Sequence, residues 1–183
     1  MSDMANLEKR AMVAEIRARG RRLEGYAAVF DSEARIGDHL IETIAQGAFA
    51  GSLGAKKDIL ALVDHDPSRM LARTRSGTLR LAEDRHGLAF DLDVPDTQAG
   101  RDVLALAARG DLGGMSFGFN AIDENRDGER RELCAVDLHE ISVVLAWPAY
   151  DGTVVDARSL MGNFPTSFSG YADRVIKLLE LTR

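Results

Sequence analysis

Cysteine and proline are scarce in this chain of 183 residues, which contains one cysteine and four prolines. Because Cys134 has no second cysteine to pair with, an intramolecular disulfide is excluded, and a reducing compartment is expected. The apolar runs are far shorter than the ~20 residues that a membrane-spanning helix needs. The polar first ten residues do not resemble a secretion signal. These features predict a cytoplasmic protein without membrane contact.

Positive charge is also in deficit, since 23 lysines and arginines face 29 aspartates and glutamates, giving a net charge of −6. This balance argues against a broad nucleic-acid surface, so no nucleic-acid partner is expected. One basic cluster exists, formed by Arg17, Arg19, Arg21 and Arg22. Because Gly20 within it can adopt positive φ, we interpret the cluster as the solvated tip of a hairpin.

The apolar pattern predicts strands over most of the chain. They cover residues 11–18, 23–30, 39–45, 59–63, 78–82, 88–94, 115–122, 129–136 and 138–146. One clear helix begins after Asp96 or Thr97 and ends before Gly110, and a shorter helical segment lies near residues 47–53. We therefore predict a mainly β fold of the α+β class, a partly closed antiparallel β-barrel ringed by a few helices.

The composition changes near residue 158. Residues 158–170 are rich in serine, glycine, asparagine and proline, which is typical of a linker, and residues 171–181 have the pattern of a short helix. The predicted organisation is therefore a folded domain over residues 1–157, followed by a linker and C-terminal helix over residues 158–183.

Ser116 is the first candidate for chemistry. Strand alternation puts Met115, Phe117 and Phe119 on one face and leaves Ser116 and Gly118 on the other. A serine beside a residue without a side chain indicates a position that a substrate can reach, so Ser116 is a candidate nucleophile. The alternative is an ordinary strand serine whose hydroxyl bonds a neighbouring backbone group.

His65 follows the apolar run 59–63 and precedes Pro67, which predicts a turn after a buried strand. Histidine is the usual general base because its ring exchanges protons near neutral pH. Two alternatives stay open, a structural turn histidine and a metal site formed with Asp64 and Asp66. The metal site is disfavoured because adjacent strand residues face opposite ways and no second histidine cluster completes it.

Glu140 is the candidate for an acid that orients the base in a serine–histidine–acid arrangement. Strand alternation puts Glu140 on one face with Leu138 and Ser142, and His139 on the opposite face, so only one of the two can serve. Glu140 also has a structural alternative, a salt bridge or a solvated edge position. The choice between Glu140 and His139 stays open at this stage.

In the order in which they occur, several segments resemble the prohead protease family of tailed phages over residues 25–157. They are Gly25-Tyr26-Ala27-Ala28-Val29-Phe30, Glu42 with Gly47-Ala48-Phe49, Asp64-His65-Asp66, Met115-Ser116-Phe117-Gly118-Phe119, Glu140-Ile141-Ser142-Val143-Val144 and Pro148-Ala149-Tyr150. Trp147 and Asp151 depart from the expected pattern around the last segment.

The resemblance implies a serine endopeptidase with a fold similar to the herpesvirus capsid protease. His65 and Ser116 match the family's base and nucleophile, and Glu140 matches a characteristic acidic position. In the herpesvirus relatives the third member is a second histidine, which keeps His139 open as the alternative. The resemblance implies no cofactor and no metal.

The resemblance also implies where the enzyme acts. It would cleave scaffold, or the scaffold-like segment of the major capsid protein precursor, inside the immature capsid in the bacterial host cytoplasm. It would also cleave itself. The linker composition points to the segment 158–183 as the part removed; the alternative is that the terminal helix packs on the enzyme's own barrel and is never cut. The portal, the procapsid shell and a second copy of the chain are further expected partners.

Two other functions fit the same residues. One is a non-catalytic capsid-assembly factor with a scaffolding role on the same fold, and the other is a small hydrolase of esters or amides without a viral role. Turnover of a capsid precursor separates the first of these from a protease.

Overall fold

The computed structural model describes residues 7–12, 14, 16–37, 39–146 and 154–155. The strands within them are β1 (Glu8–Met12), β2 (Arg17–Arg19), β3 (Arg22–Val29), β4 (Ala34–Ile36), β5 (Leu40–Ile44), β6 (Leu60–Val63), β7 (Asp66–Arg73), β8 (Leu79–Glu83), β9 (Gly87–Asp93), β10 (Gly114–Asp127), β11 (Arg130–Val144) and β12 (Val154–Val155). The helices are α1 (Ala50–Gly54) and α2 (Gln98–Arg109). The prediction of a mainly β fold with few helices is confirmed.

The strands form two sheets. The larger sheet has the order β1-β10-β11-β5-β4-β12, with β6 paired to both β11 and β7, and the smaller sheet has the order β2-β3-β9-β8. These sheets do not close into a barrel, so the predicted partly closed barrel is wrong.

Most strand pairings are antiparallel, as predicted, but β5 and β6 both pair with β11 in parallel. β11 spans 15 residues, so its edge opposite β10 has room for both strands. Its first part pairs with β5 and its last part with β6, so one strand serves two parallel neighbours. Among the described residues β1 pairs only with β10 and β7 only with β6, which leaves both as edges.

One hydrophobic core contains buried side chains from both sheets. In β10, Met115, Phe117 and Phe119 are all buried in this core, as the alternation predicts. The Phe117 ring lies 5.1 Å from the Phe119 ring and 5.5 Å from the Phe49 ring, centroid to centroid. Because these aromatic side chains fill the core face of β10, Ser116 must point away from it.

Helix α2 has the ends that the sequence predicts. The Thr97 side chain accepts a hydrogen bond from the backbone N–H of Gly100, which caps the first turn. Gly110 ends the helix in the left-handed conformation, with φ 73°.

The predicted basic hairpin is also present, as β2 and β3 joined through Gly20, with φ 60°. Arginines of this cluster pair with acids: Arg19 with Glu24, Arg21 with Asp96 and Arg22 with Asp91. The cluster is therefore largely neutralised by the protein's own carboxylates.

Several predicted features lie outside the described residues. They are the linker and terminal helix over residues 158–183, and the Trp147 to Asp151 segment. No helix in the described part of the chain is long and apolar enough to cross a membrane.

Candidate active site

His65 lies in a two-residue turn between β6 and β7. Val63 is paired with Asp66, so Asp64 and His65 are the central residues of a tight hairpin. Both have positive φ, 49° for Asp64 and 60° for His65. These φ values are those of a type I′ turn, whose twist suits a hairpin. For residues other than glycine this left-handed conformation costs roughly 1–2 kcal/mol each. The predicted turn is confirmed, but Pro67 lies within the edge strand β7, where its missing N–H is tolerated.

The strained turn is held by the end of β11. The backbone N–H of Asp64 donates to the carbonyl of Val143 (3.0 Å), and the N–H of Leu145 donates to Oδ1 of Asp64 (3.0 Å). The backbone N–H of His65 donates to Oγ of Ser142 (3.2 Å). Because these bonds fix Asp64 and the backbone N–H of His65, the histidine side chain starts from a defined position.

The imidazole of His65 is paired with Glu140. Nδ1 of His65 lies 2.6 Å from Oε1 of Glu140, and both side chains are largely buried, at 15% and 8% exposure. A carboxylate can only accept at this distance, which assigns the proton to Nδ1 and leaves Nε2 able to take up another. The pair thus has the geometry of a base with its orienting acid.

Space for the Glu140 carboxylate comes from Gly118. The two residues are paired across β10 and β11, and a Cβ atom at Gly118 would overlap Oε1 of Glu140. We expected the bare face of Gly118 to be open for a substrate. That expectation is wrong, because the carboxylate of Glu140 fills the space.

A β-bulge at His139 brings Glu140 to this face. Phe119 pairs with Leu138, but Gly118 pairs with Glu140, so β11 has one extra residue between these pairs. Leu138 therefore faces the core while Glu140 faces away from it, and the prediction that they share a face is wrong. Simple alternation fails here because a bulge shifts the side-chain parity, a device often used to re-aim a side chain near a site.

His139 makes different contacts from Glu140. Its Nε2 lies 3.0 Å from Nδ2 of Asn120 and 3.6 Å from Oδ2 of Asp137. Among the described contacts, those of His65 go to Glu140 and Ser142 and none to His139. The geometry therefore favours Glu140 over His139 as the partner of His65.

Ser116 lies on the same side of the larger sheet as Glu140. It pairs with Ser142, and its neighbour Gly118 pairs with Glu140, so these four residues form one patch next to the His65 turn. Directly opposed residues on one face bring their Cβ atoms to roughly 5 Å. The sequence-predicted site residues His65, Ser116 and Glu140 thus come together from β10, β11 and the β6–β7 turn.

The Ser116 hydroxyl has a different partner from the one expected of a nucleophile. Its Oγ donates to the backbone carbonyl of Arg10 in β1 (2.8 Å), and the residue is fully buried. This is the backbone contact that the sequence left open as the alternative. The expectation of a serine already open to substrate is wrong for this conformation, because β1 pairs with β10 and engages the hydroxyl.

Strand β1 is anchored by a network of charged side chains. Arg131, itself 5% exposed, binds Glu8 (2.6 Å) and the buried Glu42 (2.9 Å), and Arg10 binds Glu42 as well (2.7 Å). The hydrogen bond from Arg131 lowers the pKa of Glu8 to about 2. The network fixes Arg10, and with it the carbonyl that holds Ser116.

Sequence reasoning missed Ser142 and Arg10 as parts of this site. Ser142 was detectable in principle, because it lies two residues from Glu140 and therefore on the same face of a strand. Arg10 contributes its backbone carbonyl, a group that every residue has, so the sequence could not identify it.

Comparisons with known proteins bear on the family and on the fold. The sequence model of the family described as caudovirus prohead serine protease matches residues 8–165. The solved structure of the bacteriophage T4 capsid assembly protease gp21 is similar, with a TM-score of 0.53 at 11% identity. That likeness covers 78% of this chain and 98% of the T4 chain. Among curated proteins, none matches the chain significantly.

The family match extends over most of the chain and includes every residue of the candidate site. It confirms the resemblance stated from the sequence, and with it the prediction of a serine protease of phage capsid maturation. The chain belongs to the caudovirus prohead serine protease family.

Proposed function

We propose that this protease cleaves the scaffold, or the scaffold-like segment of the major capsid protein precursor, with Ser116 as nucleophile, His65 as general base and Glu140 as the acid that orients His65. The observation that carries the proposal is the 2.6 Å contact between Nδ1 of His65 and Oε1 of Glu140. It lies on the same side of the sheet as Ser116, which is paired with Ser142 one strand away.

The chemistry is acyl transfer. Ser116 Oγ attacks the scissile carbonyl carbon while its proton passes to Nε2 of His65, and the negative charge of Glu140 stabilises the resulting imidazolium. The C–N bond then breaks, and the leaving amine takes the proton from His65. Water attacks the acyl-enzyme in the same way and gives its proton to His65. The ester bond then breaks as His65 returns that proton to Ser116 Oγ, which releases the acid and restores the free enzyme.

One rearrangement must precede the attack. The Ser116 hydroxyl now donates to the carbonyl of Arg10, and it has to donate to Nε2 of His65 instead. A turn about the Cα–Cβ bond would free the hydroxyl from the Arg10 carbonyl, and the buried site must open enough to admit the substrate backbone. We propose that substrate binding supplies both changes.

The proposal extends to the location and the fate of the enzyme. It acts inside the immature capsid in the bacterial host cytoplasm, next to the portal and the shell, and self-association there is part of the proposal. A protease domain over residues 1–157 is separated from the segment 158–183 by self-cleavage. A fold likeness to the herpesvirus capsid protease stays a prediction.

Co-expression with the major capsid protein precursor of the same phage tests this function. The wild-type chain should convert the precursor to a shorter form, as measured by intact-protein mass, and Ser116→Ala and His65→Ala should not. Ser52→Ala is the control, because Ser52 is a buried serine bonded only to the backbone of β11. Unchanged precursor with the wild-type chain, or cleavage by Ser116→Ala, would contradict the proposal.

A further inference from the structure

We infer that Ser142 is a positioning residue for the protease reaction, because its single hydroxyl holds both partners of the His65–Glu140 pair. Its Oγ donates to Oε2 of Glu140 (2.6 Å) and accepts the backbone N–H of His65 (3.2 Å). Ser142 is fully buried. The inference rests on the proposed roles of Ser116, His65 and Glu140.

The first effect of Ser142 is on the direction of the carboxylate. A glutamate held through one oxygen can still rotate about that contact. Here Oε1 faces Nδ1 of His65 and Oε2 faces the hydroxyl of Ser142, so both oxygens are assigned. Gly118 adds a wall beneath the carboxylate. These three contacts define the plane of the Glu140 carboxylate, which keeps Oε1 directed at the imidazole of His65 as a strong hydrogen-bond acceptor.

The second effect of Ser142 is on the histidine backbone. His65 has φ 60° in a two-residue turn, a conformation that costs energy in any residue with a side chain. A buried backbone N–H needs an acceptor, and Ser142 provides it for His65. The same hydroxyl thus sets the position of the imidazole through the backbone and the position of the carboxylate through Oε2.

The contacts argue against Ser142 as a second nucleophile. Its hydroxyl proton is donated to Glu140, and its contact with His65 is to the backbone N–H and not to the ring. The imidazole cannot accept the Ser142 proton in this arrangement. Ser142 therefore acts through the pair and not on the substrate.

Ser52 is a matched comparison for a merely structural serine. It is 4% exposed, and its Oγ also makes one donated and one accepted hydrogen bond, to the carbonyl of Val136 (2.6 Å) and from the N–H of Leu138 (2.8 Å). Both partners are backbone groups of β11 outside the patch. We expect removal of either hydroxyl to disturb the fold to a similar degree, since each makes two hydrogen bonds in a buried position. The Ser142 hydroxyl alone of the two contacts His65 and Glu140.

Steady-state kinetics with a peptide ester substrate test the inference, since a good leaving group keeps slow variants measurable. We expect Ser142→Ala to lower kcat by about 10- to 100-fold, because small misplacements of catalytic groups cost this much, while KM stays within about threefold. Ser142→Thr, which keeps the hydroxyl, should recover most of the loss. Ser52→Ala should stay close to the wild type. All variants are first checked for folding by circular dichroism.

A double-mutant cycle separates positioning from general damage. In a Glu140→Ala background the carboxylate that Ser142 holds is gone and only its bond to the His65 backbone remains, so Ser142→Ala should lower kcat by a clearly smaller factor than in the wild type. A structural effect would lower kcat by the same factor in both backgrounds, and that result would overturn the inference. Equal losses for Ser142→Ala and Ser52→Ala would overturn it as well.

An NMR measurement tests the inference without any substrate. The ring nitrogen shifts of His65 report its tautomer and its hydrogen bond to Glu140. They should move in Ser142→Ala toward the values of Glu140→Ala, and stay unchanged in Ser52→Ala. Unchanged shifts in Ser142→Ala would contradict the inference even if the protein proved to be an active protease. Shifts that move as expected in a protein that cleaves no substrate would contradict the proposed function and leave the positioning intact.

Discussion

Oε1 of Glu140 lies 2.6 Å from Nδ1 of His65, although the two residues are 75 positions apart in the chain. Replacing Glu140 by glutamine keeps the size of the side chain but removes the negative charge and allows the wrong tautomer of His65. We expect Glu140→Gln to fold and to lose about 10⁴-fold in kcat, as in other triads whose acid is replaced by an amide. The rate of precursor cleavage measures this loss.

His139→Ala is the matched control for that prediction. Because His139 contacts Asn120 and Asp137, and none of its described contacts reaches His65, its removal should leave the cleavage rate close to the wild type. A large loss in His139→Ala together with an active Glu140→Gln would transfer the role of orienting group to His139.

Gly118→Ala should damage the site without damaging the fold. The new Cβ would overlap Oε1 of Glu140 and push the carboxylate away from His65. We expect kcat to fall by at least about 10-fold, since the pair loses its alignment. Gly51→Ala is the control, because a Cβ at Gly51 meets no atom within 4 Å and this helical site favours alanine. Full activity of Gly118→Ala would show that the carboxylate has more room than the structure gives it.

Ser116→Ala should lower stability as well as activity. The hydroxyl of Ser116 donates to the carbonyl of Arg10 in a buried position, and alanine removes that donor. We expect the free energy of unfolding to fall by about 1 kcal/mol, measured by urea denaturation. Ser76→Ala, at an exposed serine, should change it by less than about 0.5 kcal/mol. An equal or higher stability of Ser116→Ala would argue against the Arg10 contact.

Acid should weaken the anchoring of β1 through Glu8. The folded-state pKa of Glu8 is lowered from its ordinary 4.5 to about 2, first by the hydrogen bond from Arg131. The unfolded chain therefore binds a proton at a higher pH than the folded one. The stabilisation is fully present above pH 4.5 and is lost as the pH falls toward 2. Because Glu8 is part exposed, we expect this contribution to be only about 1 kcal/mol.

The variant Glu8→Gln isolates that effect. Its free energy of unfolding should depend less steeply on pH than that of the wild type between pH 5 and pH 2 (test conditions). Glu129→Gln, which alters a carboxylate with 73% exposure, should keep the wild-type slope. If the free energy of unfolding depended on pH equally steeply in Glu8→Gln and in the wild type, the network of Glu8, Arg131 and Glu42 would not contribute to stability in acid.

Local signals predicted much of this fold. The α2 helix is bounded by Thr97 and Gly110, which act through hydrogen bonds and φ values within a few residues. The alternation of Met115, Phe117 and Phe119 likewise identifies the core face of β10. Such signals lie within one element, so the sequence alone reveals them.

Features that depend on pairing between distant segments were not predicted. The parallel pairing of β5 and β6 with β11 is set by tertiary contacts. The strand β7 was not predicted because it contains Pro67, and the proline is tolerated there because β7 is an edge strand. The bulge at His139 reverses the side-chain parity of β11, and only the pairing with β10 shows it. Because of this bulge, Glu140 does not share a face with Leu138, although the sequence alone predicted that it would.

Covalent trapping identifies the nucleophile of the protease. A serine-directed fluorophosphonate is added to the wild-type chain during cleavage of the capsid precursor, and the labelled peptide is mapped by mass spectrometry. We expect one adduct, on Ser116, that is absent in His65→Ala and strongly reduced in Glu140→Gln. An adduct on Ser142 or another serine, or labelling of Ser116 that does not depend on His65, would contradict this expectation.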